Sequence, residues 1–96
     1  MSKKENLIHK LTELEEVIDI VKKEVGDDEK EYLNKYKKHV NCLIEKIRNG
    51  EISASNGGLL GVLRAISEYD NLAEIKQLYD AASEVEIYYS CKCKEW

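Results

Sequence analysis

The stretch LIHKLTELEEVIDIVKKEV, residues 7–25, decides the fold. Leu7, Leu11, Leu14, Ile18, Val21 and Val25 follow one another at alternating steps of four and three residues, which sets all six on one stripe of a helix. A half-buried strand would need a period of two, and the stretch does not have it. Ser2 and Glu5 stand in a capping-box pattern ahead of the stripe. Lys22 and Lys23 followed by Gly26 suit a helix C-terminus, so the first helix is predicted near residues 3–25.

The same spacing recurs downstream. Leu33, Tyr36, Val40, Leu43 and Ile47 predict a second helix near 28–49, capped by Asp27 or Asp28 and closed by Lys46, Arg48 and Gly50. A third is predicted near 55–69, after Ser53 or Ser55, with Leu59, Leu60, Val62, Leu63 and Ile66 as its apolar face. Gly57, Gly58 and Gly61 weaken its first turns. The fourth is predicted near 72–90, starting from Asn71 with Glu74 as a second capping box and burying Leu72, Ile75, Leu78, Tyr79, Ala82, Val85 and Tyr89. With no proline and only five glycines, the chain lacks the punctuation of an all-β fold. Four helices with one apolar stripe each imply an all-α chain, a four-helix antiparallel bundle, and 96 residues suffice for one such domain over 1–96.

Composition narrows the function. Hydrophobic residues make up 43% and charged residues 35%, with apolar runs of only a few residues between charges, so neither disorder nor a membrane span is expected. The start Met-Ser-Lys-Lys-Glu-Asn leads into no secretory apolar stretch, and a cytoplasmic location is expected. Cys42, Cys91 and Cys93 are an odd number, and the last two are too close for a structural staple, so reduced thiols are expected.

Chemistry finds little support in the residues. His9 and His39 read as helix-surface or boundary histidines with no nucleophile to serve. The glycines at 57, 58 and 61 lack the lysine and hydroxyl of a phosphate-binding loop. Cys91 and Cys93 are separated by one residue, where structural zinc pairs use two to four. No catalytic residue, metal ligand or cofactor is expected. Charge is uneven: residues 50–96 hold four basic against eight acidic side chains. Lysine-rich phosphate contacts are not concentrated there, and nucleic acid is not the expected partner.

The fourth helix carries the candidate surface. At 100° per residue Asp80, Glu84, Ile87 and Tyr88 fall opposite its apolar stripe, which places a large aliphatic and an aromatic side chain among acids. Together with Glu68, Asp70 and Glu74 they form a candidate binding site for a basic protein, which such a surface would also steer. Two plainer alternatives stay open: the tail ending in Trp96 covers Ile87 and Tyr88, or the carboxylates are a solvated face.

In length, acidity and helical build the chain resembles the small bacterial immunity proteins that neutralise bacteriocins or contact-dependent toxins. The resemblance implies tight one-to-one binding of a toxin, often a basic nuclease, with charges at the rim and tyrosines at the centre. An alternative of another class is a small regulatory or scaffold protein that forms a homodimer through the Leu7–Val25 stripe, with Ile20 serving a second interface. An enzyme lacks a triad or metal set, and a helix-turn-helix DNA binder would turn Asp80 and Glu84 towards phosphates.

Overall fold

The structure is a computed structural model and describes residues 2–52 and 60–93. Among these residues the chain is all-helical: α1 (Lys3–Lys22), α2 (Asp27–Arg48), α3 (Val62–Ser67), α4 (Asp70–Ala73) and α5 (Lys76–Lys92). The helices form a bundle around one buried apolar cluster. No helix among the described residues is long and apolar enough to cross a membrane.

The stripe becomes the centre of the core as far as Val21; α1 ends at Lys22, short of the expected residue 25, and Val25 is only partly buried beyond it. Leu7, Leu11, Leu14, Ile18 and Val21 are fully buried, and α1 packs along both α2 and α5. Each such leucine or isoleucine withdrawn from water contributes about 1.5–3 kcal/mol. The Ser2 hydroxyl accepts the Glu5 backbone N–H at 3.1 Å, as the capping box requires of its first member. Because the stripe faces α2 and α5 within the chain, Ile20, at 46% exposure, is the large apolar residue that α1 leaves outside.

α2 buries Leu33, Tyr36, Val40, Leu43 and Ile47 as their spacing predicts, with Ile44 beside them. Its N-cap is Gly26, not Asp27 or Asp28, and no side chain caps it. Instead Asp27, Asp28 and Glu29 lie in the first turn, where the helix dipole favours negative charge. Gly50 (φ 73°) takes the left-handed conformation that ends the helix, and the Glu51 N–H reaches back to the Lys46 carbonyl at 2.8 Å. On the surface Lys37 Nζ holds both oxygens of Asp19 at 2.8 and 2.9 Å, and this hydrogen bond lowers the Asp19 pKa.

The second half departs from the expected two helices. α3 begins only after Gly61, which adopts φ 89°, a conformation open to glycine and strained for other residues. Leu59 and the glycines at 57 and 58 lie outside the described residues, as does the start of the helix expected over 55–69. The helix expected over 72–90 is two pieces, α4 and α5, broken at Ile75, whose ψ of 99° is extended. The Asn71–Glu74 capping box does not form: the N-caps are Tyr69 and Ile75, and Asn71 instead donates to Glu29 Oε1 at 3.0 Å. The break lets Leu72 and Leu78 both reach full burial although they sit on differently directed helices.

Candidate functional site

α5 has two faces of opposite character. Leu78, Ala82, Val85 and Tyr89 point inward, and the helix packs on α1 and α3. Tyr79, expected in that stripe, is 38% exposed, because the helix starts after the break at Ile75 and its phase is set by Leu78 and Ala82. Asp80 and Glu84 are exposed one turn apart on the outward side, and Ile87, three residues on, is 60% exposed. Among the described residues neither carboxylate has a cation within ion-pair distance.

The other candidate residues are placed differently. Glu68, the C-cap of α3, is held by Arg64 Nε at 3.0 Å. Glu68 and Asp70 line a shallow depression with Tyr69 and Asn71 at the corner between α3 and α4, and the exposed Glu74 is the C-cap of α4. Tyr88 is not a free surface aromatic. Half-buried against α1, its hydroxyl accepts from Asn6 Nδ2 at 3.1 Å, and Lys10 Nζ stands 5.5 Å from its ring centre. Trp96, the expected cover, lies outside the described residues.

Glu86, which the sequence reading did not single out, is 3% exposed. Its Oε1 accepts the backbone N–H groups of Val62 at 2.6 Å and Leu63 at 3.3 Å, and its Oε2 accepts that of Leu60 at 2.9 Å. Gly61 cannot supply a capping side chain, so the carboxylate from α5 does the capping across space. Charge-assisted bonds of this kind offset the desolvation of a buried carboxylate. The signal for it was in the phase: Glu86 lies four residues after Ala82 and three before Tyr89, within the buried stripe.

Two tyrosines of α2 complete the hold on α3. The Tyr36 hydroxyl donates to the Val62 carbonyl at 2.8 Å and that of Tyr32 to the Ala65 carbonyl. Tyr32 also packs on Tyr69, with ring centres 4.9 Å apart. Burial, and then the nearby Glu86 charge, push the Tyr36 pKa well up; burial and then Glu68 raise that of Tyr32. Both phenols stay protonated as donors at neutral pH.

The thiols do not converge. Cys91 is exposed and Cys93 is buried two residues on, where desolvation raises its pKa. Among the described residues no three His, Cys, Asp or Glu side chains are grouped to hold a metal ion. His9 is exposed beside Glu13 at 2.9 Å. His39 is also exposed and lines a pocket of about 200 Å³ with Tyr32, Lys35, Tyr36 and Ala65.

What the arrangement offers is a surface: two bare carboxylates and an isoleucine on a helix whose opposite side is anchored in the core. No family model, curated protein or solved structure matches the chain.

Proposed function

We propose that this chain is a non-enzymatic protein-binding module of the immunity type, which neutralises a basic toxin domain by covering it with the outward face of α5. The frame for that face is the four-helix antiparallel scheme read from the sequence, with α4 and α5 together serving as its broken fourth member. The observation that carries the proposal is the triad of Asp80, Glu84 and Ile87. Two exposed carboxylates with no cation in ion-pair distance among the described residues precede, on the same face, a large apolar side chain that is 60% exposed. Desolvating an apolar anchor while carboxylates at its rim meet cations is how compact interfaces gain both affinity and association rate. Asp70 and Glu74 extend the negative field, since residues 60–93 carry six carboxylates against three cations. A nuclease domain, whose own site attracts phosphates, is the partner chemistry that this field matches.

The test is affinity capture from the source cell with the full chain as bait, beside the double variant Asp80→Lys, Glu84→Lys. The expected result is one basic protein, retained at low salt, weakened at high salt, and lost at least tenfold from the variant while its helical circular dichroism is unchanged. Equal capture by the variant would overturn the assignment to α5.

A further inference from the structure

A groove of about 640 Å³ runs between α3 and α5. Leu60 and Leu63 form one wall, Ile87 stands on the other, and Glu86 lies at its floor. The carboxylate at the floor is buried, and both Glu86 oxygens already accept from backbone N–H groups. Arg64 lines the α3 side with its guanidinium paired to Glu68. Among the described residues Asp80 and Glu84, on the same helix as Ile87, are exposed carboxylates with no cation in ion-pair distance.

We infer that this groove receives an amphipathic, lysine- or arginine-bearing helix of the partner. The helix seats an aliphatic side chain between Leu60, Leu63 and Ile87 and sets two cations over Asp80 and Glu84. This deepens the proposed function and rests on that reading of α5. The case for a helix is one of hydrogen bonding. The N–H groups of Leu60, Val62 and Leu63 are taken by Glu86, and the carbonyls of Val62 and Ala65 by tyrosines. The α3 wall therefore has little backbone to offer an extended chain, whereas a helix brings its own bonds already made. The case for its charge is complementarity: Asp80 and Glu84 are separated by one turn, about 6 Å of rise, and cations four residues apart on a partner helix lying alongside repeat that spacing.

Two synthetic 18-residue peptides of equal lysine count test this against the full chain by fluorescence anisotropy. One carries leucines at helical spacing, and the other has glutamine in their place. The leucine peptide is expected to bind at least tenfold more tightly, and Ile87→Gln, at an exposed position that leaves folding intact, should remove most of that advantage. Equal binding of the two peptides, or an advantage that survives Ile87→Gln and Leu63→Gln, would overturn the groove. If both peptides still lose affinity on Asp80→Asn with Glu84→Gln, the acidic face stands without the groove. If that dependence is missing as well, both readings fall.

Discussion

The α1–α2 half and the α3 segment are held by different forces. Between α1 and α2 the contact is a ladder of fully buried aliphatic side chains from Leu7 to Val21 facing Leu33, Val40 and Ile47. α3 is only six residues long, too short to persist alone, and buries only Val62 and Ile66. Its position depends as much on polar bonds to its backbone, from Glu86 on α5 and from Tyr32 and Tyr36 on α2. Apolar burial has no preferred direction, whereas a hydrogen bond weakens steeply as donor and acceptor fall out of line. The difference teaches that this molecule has a core that resists and an appendage that is aligned.

The contrast can be broken by substitution. Leu14→Ala should cost about 3–4 kcal/mol in a denaturant titration, with all helices melting together, because it opens a cavity in the centre of the core. Glu86→Ala should cost about 2–3 kcal/mol by leaving buried N–H groups unpaired. Its signature is local: amide exchange should accelerate in α3 while α1 and α2 keep their protection. Equal acceleration in α1 would show that the two halves are one cooperative unit and that the contrast is false.

The smallest effect sharpens it. Tyr36→Phe should cost about 1 kcal/mol at neutral pH through the lost bond to the Val62 carbonyl. The Tyr36 pKa is raised in the folded chain, and an unfolded tyrosine ionises near ~10. Its contribution is therefore complete below that pH and is lost as pH rises from there towards the folded value. Alkaline denaturation curves should be less steep for Tyr36→Phe than for the parent chain, and identical slopes would place the hydroxyl outside the linkage.

How far the sequence was legible follows the same division. The aliphatic stripes of α1 and α2 could be read because their register is a local property: every four- and three-residue step from Leu7 to Val21 ends in full burial. The break at Ile75 could not, since Asn71 to Glu74 reads as the start of one continuous helix. What accompanies it is remote: Asn71 bonds to Glu29, and Leu72 and Leu78 both reach one core. Tyr88 was misplaced, and the capping role of Glu86 went unread, for a related reason: wheel position does not show that Asn6 will meet a hydroxyl, or that a glycine-started helix will need a carboxylate. Asp80, Glu84 and Ile87 were placed outward correctly, because the outward face of α5 needs no partner to define it.

Part of the grip on α3 is blind to side-chain identity. Glu86, Tyr32 and Tyr36 hold its amides and carbonyls, which every residue other than proline supplies alike. Arg64 and Ser67, exposed side chains that α3 turns to the groove, can therefore be exchanged without loss of these backbone bonds. Such a segment behaves as a fixture on a fixed mount, whose exposed side chains can vary while its backbone stays held.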